Sequence, residues 1–285
     1  MYKSVLKYLV LAAKLLAFAF MVMVLVSMIS IPLTVYMNGR GVDAYWVDLA
    51  NETVLFVAVL LSAALIIRFW DRQTRVLSSL GLTVRGRGRD LLRGTLTAVV
   101  LYAVGFGVSV VAGWVAVTGV NLDWSMLLMQ LVLMLAVALA EETMVRGFVL
   151  GHLLDLSMNR YLALVLSSLL FSLLHFGNPD FGIMAFVNIF LAGMLLGSAY
   201  IYTRNLSYSV ALHLFWNWIQ GPVLGYDVSG LPTGGVLSLS LSPDVLLNGG
   251  SFGFEASLPC TVLMLLMTAL TLRIYRKEYQ LTCKP

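Results

Sequence analysis

Charge is what this sequence has least of. Asp, Glu, Lys and Arg make up 11% of its 285 residues, where a soluble domain carries about a quarter, so most of its surface cannot face water. Length alone would allow two soluble domains. The 60% hydrophobic content overrides that and argues for a single membrane domain over residues 1–285. Cysteine is nearly absent too. Cys260 lies in an apolar run and Cys283 near the end, which excludes a disulfide framework. The tail Cys283-Lys284-Pro285 is one residue short of a prenylation box. There is no internal repeat and no low-complexity tract. The net charge of +4 does not imply a nucleic-acid partner: the basic residues fall between apolar stretches rather than on one face, where they read as topology signals.

A membrane-crossing helix needs about 20 mainly apolar residues. Eight stretches qualify, at 8–35, 54–69, 95–117, 126–150, 161–176, 183–202, 207–224 and 258–274, which predicts an all-α polytopic membrane protein. Lys3, Lys7 and Lys14 precede the apolar run 15–31 in the order of a signal peptide. That run is too long and lacks a small-residue cleavage site, so it is expected to stay as the first helix. The fifth and seventh stretches are rich in Ser and contain His, and are expected to face other helices, where polar groups find partners.

With the N-terminus inside, the inner segments collect Lys3, Lys7, Lys14, Arg68, Arg72, Arg75, Arg85, Arg87, Arg89 and Arg93. Further along they hold Arg160, Arg204, Arg273, Arg276, Lys277 and Lys284. The outer loops hold Arg40 alone, beside Asp43, Asp48 and Glu52, and the segment 225–257 has Asp227, Asp244 and Glu255 but no Lys or Arg. This asymmetry predicts eight spans in a cell membrane with both termini cytoplasmic. The basic stretch 68–93 is read as an orientation signal, with anionic-lipid binding as the alternative. Segment 225–257, with Gly-Gly pairs and Pro232 and Pro243, reads as an extended connector.

A charge at the centre of a membrane helix costs about 2.5–3.5 kcal/mol by insertion scales. The fourth stretch nevertheless contains Glu141-Glu142-Thr143-Met144-Val145-Arg146. Adjacent carboxylates point about 100° apart on a helix, so they cannot share one role. Glu142 and Arg146 have the spacing and order of an intrahelical ion pair, which leaves Glu141 without an obvious partner and suited to general-base work. The bland alternative is a pair of interfacial charges that snorkel outward.

The chain has three histidines. His152 lies beside Asp155 at the inner end of the fourth stretch and reads as an interfacial residue. His175 closes Phe171-Ser172-Leu173-Leu174-His175. His213 and Asn217 stand four apart, on one helix face. Glu141, with His175, would hold and deprotonate a water, and the His213/Asn217 face would donate to a developing oxyanion. Ser167, Ser168, Ser172, Ser207 and Ser209 are more simply small packing residues, so an activated water is preferred over a covalent intermediate. At 1.5 Å per residue Glu141 lies about 15 Å from the inner end of its helix and His175 about 20 Å from Tyr161. The fifth helix is therefore expected either to start in the cytoplasm or to be staggered, around a cavity facing the cytoplasm.

Glu141-Glu142-x-x-x-Arg146, Phe171-x-x-x-His175 and His213-x-x-x-Asn217 resemble the three motifs of the CPBP family of CAAX-processing and bacteriocin-processing membrane proteins. The type II CAAX prenyl endopeptidases belong to that family. The resemblance covers about residues 126–218. It implies eight transmembrane helices round a conical intramembrane cavity, with Glu141 and His175 activating water and His213 and Asn217 stabilising the oxyanion. It also implies that Glu142 pairs with Arg146 to position the helix. The implied activity is an intramembrane endopeptidase of glutamate type acting on membrane-attached peptides. No metal or other cofactor is expected, as there is no HExxH. The alternatives are a non-catalytic scaffold or a bacteriocin self-immunity protein. A proton relay would need acids or His in further spans, and the remaining stretches above hold none.

Overall fold

The computed structural model describes residues 2–282, so Cys283 and the rest of the tail lie outside the described residues. Among the described residues there are eleven α-helices and one two-stranded sheet: α1 Tyr2–Gly39, α2 Ala44–Leu65, α3 Val76–Ser79, α4 Gly88–Val111, β1 Val115–Val120, α5 Trp124–Glu142, α6 Gly151–Asp155, α7 Arg160–Leu174, α8 Ile183–Thr203, α9 Ser207–Trp218, β2 Leu237–Leu241, α10 Val245–Asn248 and α11 Leu258–Thr282. Three stretches widen into π-helix: Ile66–Trp70 after α2, Thr143–Leu150 between α5 and α6, and Ile219–Val223 after α9. Side-chain caps set several helix starts. Asp43 accepts from Tyr45 N, Asp123 from Met126 N and Asn159 from Tyr161 N, each satisfying an amide that the first turn leaves open.

All eight expected stretches contain helix, and six of the helical runs are long and apolar enough to cross a membrane: Val5–Gly39, Ala44–Trp70, Gly88–Val111, Trp124–Asp155, Ile183–Thr203 and Leu258–Leu281. This is a multi-pass membrane protein. The other two, α7 and α9, are 15 and 12 residues long. At 1.5 Å per residue, α7 covers about 22 Å of a hydrocarbon core about 30 Å thick. Pro179 follows α7, and Pro222 lies in the π-turn that follows α9, where a missing N–H interrupts helical bonding. Both short helices pack among the others, α7 on α8 and α9 on α4 and α5.

The third stretch was expected to be helical to residue 117, but α4 ends at Val111. Gly113 turns the chain at φ +72, a left-handed conformation that suits glycine, and the β-branched Val115–Val120 then forms a strand. It pairs antiparallel with β2 of segment 225–257. That segment is therefore not the extended connector expected. It folds back as a strand, a short helix and two 3₁₀ turns, and buries Tyr226, Val228, Phe252 and Phe254. The hydropathy of 225–257 is too low to show this, because its anchors are scattered aromatics rather than a run.

Two apolar cores result. One joins α4, α8, α9 and α11 to the returning segment through Tyr102, Trp216, Phe252 and Phe254. The other joins α1 and α2 to the π-stretch through Phe18 stacked on Phe148, their ring centres 3.9 Å apart. Basic residues gather at one end of the molecule. There Lys14 and His152 meet Asp71, Arg204 meets Asp155 at 3.0 Å, Arg93 meets Glu278 at 2.5 Å, and Arg160 lies over Tyr202 and Tyr279. The sheet and segment 225–257 lie at the opposite end.

Candidate active site

The two glutamates end α5, where the helix opens into its π-stretch. A π-turn inserts an extra residue and so re-aims the side chains that follow, a feature frequent at functional sites. Glu142 and Arg146 pair across this junction at 2.6 Å, and both side chains are completely buried. Arg146 donates a second bond, 3.3 Å long, to Gly193 O, and its guanidinium lies 4.2 Å from the centre of the Phe171 ring, a cation–π contact. Gly193 is required here because a Cβ would stand 2.9 Å from Ser168 Cα, so its absence lets α7 and α8 approach closely.

Glu142 Oε1 also accepts from His213 Nδ1 at 2.9 Å. A carboxylate already taking a bond from Arg146 is acceptor-only, so the proton sits on Nδ1 of the histidine. In the neutral ring the free nitrogen, Nε2, is then a lone-pair acceptor, and it lies 3.9 Å from Glu141 Oε2. That is too long for a direct hydrogen bond. A water about 2.8 Å from both atoms would complete a triangle. The Glu141 side chain is 24% exposed, against zero for Glu142.

His175 caps the end of α7 remote from the basic loops. Its Nδ1 bonds to Phe171 O at 2.8 Å and its ring packs edge-on against Phe171. Phe171 also meets the His213 ring edge-on at 6.1 Å, so one aromatic side chain holds Arg146, His175 and His213. The fifth helix is short, and its cap residue His175 lines the same pocket as His213 and Asn217. No hydrogen bond or ion pair joins His175 to Glu141 among the described residues.

His175, His213 and Asn217 line one pocket, together with Trp216, Ser229 and Glu255. Its volume open to water is about 20 Å³, enough for a single water. The pocket walls Ser229 and Glu255 come from segment 225–257. Asn217 bonds to no other side chain among the described residues, so its amide is free to donate into the pocket. The serines set aside as packing residues are engaged by backbone: Ser168 donates to Leu164 O, Ser172 to Phe186 O and Ser209 to Leu196 O.

Two acids were missed by reading the sequence. Glu52 falls inside α2, not in an outer loop. Its Oε2 is buried without a partner, and it stands within electrostatic reach of Glu141 and His213. The remaining spans therefore do hold a further acid. Asp43 as N-cap was the available signal, since it starts the helix ten residues before the apolar run. Glu255 is the other. It is buried and accepts from the backbone N–H and hydroxyl of Ser229 and from Trp216 Nε1. His152 lies away from the site, bonded to Asp71 Oδ2 at 3.0 Å. Among the described residues no group of three or more His, Cys, Asp or Glu converges as a metal site.

Residues 122–219 match the family described as Type II CAAX prenyl endopeptidase Rce1-like. That span holds all seven residues of the three motifs and bears out the resemblance drawn from them. No curated protein and no solved structure matches the chain.

Proposed function

From the membership of residues 122–219 in the Rce1-like family of CAAX prenyl endopeptidases, we propose that this protein is an intramembrane endopeptidase of glutamate type. It cleaves membrane-attached peptides, of which prenylated CAAX tails are the class the family suggests, in a cell membrane with both termini cytoplasmic. The observation that carries this reading is the meeting of Glu141, Glu142 and Arg146, on a membrane-spanning run, with His213 of α9.

Glu141 is the general base. Its half-buried carboxylate, whose Oε2 has no hydrogen-bond partner, takes a proton from water, and the hydroxide formed attacks the peptide carbonyl. Glu142 is held by Arg146 and fixes the His213 ring, so that Nε2 faces Glu141. The amide of Asn217 donates to the carbonyl oxygen as negative charge develops there. The proton held by Glu141 then passes to the leaving amine. The motifs imply that His175 shares the water with Glu141 and that His213 joins Asn217 in stabilising the oxyanion. The 3.9 Å approach of His213 to Glu141 favours a second division, in which His213 helps to hold the water.

The test is cleavage of a quenched CAAX peptide by the purified protein. Glu141→Gln should lower kcat by about 10²–10⁴-fold, the usual worth of a general base, with the melting temperature retained. Full activity in both Glu141→Gln and His175→Ala would end the hydrolase reading. A larger loss in His213→Ala than in His175→Ala would support the second division.

A further inference from the structure

His213, Trp216 and Asn217 share one face of α9, and Gln220 follows on it in the π-stretch. Three of these four side chains are tied. His213 Nδ1 donates to Glu142 Oε1 at 2.9 Å. Trp216 Nε1 donates to Glu255 Oε2 at 3.3 Å. Gln220 Nε2 donates to Asp227 O at 2.8 Å, and its Oε1 accepts from the Tyr102 hydroxyl. Asn217 stands among them with no such bond among the described residues, and lines the pocket with His175 and His213. Its amide therefore points where its neighbours hold the helix.

The tie through Trp216 ends on a carboxylate. Glu255 lies in the 3₁₀ turn Phe254–Ala256, outside residues 122–219, and is 3% exposed. Its other oxygen accepts from Ser229 N and from Ser229 Oγ, the hydroxyl at 2.7 Å. These three donors are all uncharged. A buried carboxylate without a cation is costly, and a position that needed only filling would be served by an apolar residue. Ser229 in turn is a fixed post. Val228 and Leu231 exchange both backbone bonds at 2.9 Å, and Ser229 at φ +51 and Gly230 at φ +80 supply the left-handed pair of a type I′ turn. Asn178 Nδ2 donates to Ser229 O at 3.0 Å, Gly230 N donates to Phe252 O at 3.0 Å, and a Cβ on Gly230 would strike Pro179 O. Asn178 and Pro179 belong to the loop that follows His175. The turn is thus pinned to that loop, and Glu255 joins it to α9.

We propose that Glu255 is a positioning residue of this peptidase: by holding Trp216 against the turn Val228–Leu231 it fixes the rotation of α9 and so the aim of the Asn217 amide. The proposal rests on the peptidase reading, in which that amide meets the oxyanion. At about 6 Å from the helix axis, a turn of roughly 10° moves the amide about 1 Å. A misplacement of about 1 Å costs up to about 10²-fold in rate. With His213 and Gln220 still tied, the loss of one bond should cost about tenfold.

The test measures kcat and KM for a quenched CAAX peptide with the detergent-solubilised full chain. In Glu255→Gln the amide oxygen still accepts from Ser229, but its NH₂ meets the Trp216 N–H donor to donor, so the tie to α9 alone is lost. This change should lower kcat about tenfold with KM within about twofold, because the Asn217 amide acts on the developing oxyanion. Trp216→Phe cuts the same bond from the other side while keeping a ring against Tyr102. It should lose the same factor, and it serves as the test if Glu255→Gln does not fold. Asn217→Ala separates aim from packing, and retains measurable turnover because one oxyanion donor is worth about 10²–10³-fold. In that background either change should cost less than about twofold, since no amide is left to aim. A further loss of about tenfold there, or kcat within about twofold of the parent in the single variants, overturns the proposal and leaves the peptidase reading standing. No cleavage by the parent chain overturns the peptidase reading and the proposal with it.

Discussion

Replacing Arg146 with methionine while Glu142 stays in place leaves a carboxylate in a site with no access to water. Both side chains are completely buried and pair at 2.6 Å, and the remaining partner of Glu142 is His213 Nδ1 at 2.9 Å. Removing one member of such a pair costs about 3–5 kcal/mol, most of it the uncompensated buried charge. At roughly 2–4 °C per kcal/mol for a chain somewhat shorter than this one, the melting temperature should fall by about 10 °C. The double variant Glu142→Leu/Arg146→Met removes both charges. It should recover most of the loss, since isosteric apolar replacement of a buried pair is often neutral or stabilising. The pair is also incompletely satisfied, with Glu142 Oε2 and Arg146 Nε both lacking partners, which lowers what the double change forfeits. Thermal unfolding in detergent, followed by the fluorescence of the six tryptophans, gives the cycle. The double variant should nonetheless be inactive, because His213 loses the acceptor that orients it. The argument fails if Arg146→Met alone melts within about 2 °C of the parent, or if the double variant is no more stable than the single one.

Glu52→Gln should raise stability by on the order of 1 kcal/mol, because it removes a charge whose Oε2 is buried without a partner. It should also lower kcat by altering the field at Glu141, with KM unchanged. Melting and steady-state kinetics on one preparation check both, and unchanged kcat would remove Glu52 from the site. In segment 225–257, burial first and the Asp180 carboxylate second push the Asp227 carboxyl above its usual range. A raised carboxyl pKa means the fold disfavours the charged form. The fold around Asp227 is therefore firmest below about pH 4, the unfolded value, and loosens as pH rises through the folded pKa. Asp180→Asn should flatten that slope, measured as hydrogen exchange of residues 225–230 between pH 4 and 7; an unchanged slope would clear Asp180 of any part.

Composition and periodicity alone determined that this chain lives in a bilayer and where its helices fall, because a run of about 20 apolar residues has no other stable home. They also marked the candidate site, since Glu141, Glu142 and Arg146 are costly inside a membrane helix unless they are paired or serve a purpose. Arg146 pairing with Glu142 was legible too, being a matter of spacing along one helix. Tertiary structure decided the rest. Whether His213 or His175 stands nearest the glutamates depends on how α5, α7 and α9 are rotated and where each turns to π-helix, which no local pattern encodes. Glu52 comes within electrostatic reach of Glu141 only because a cap at Asp43 extends α2 beyond its apolar run. Segment 225–257, without hydrophobic periodicity, closes the pocket through Ser229 and Glu255, long-range contacts between residues that have no signature until the helices bring them together.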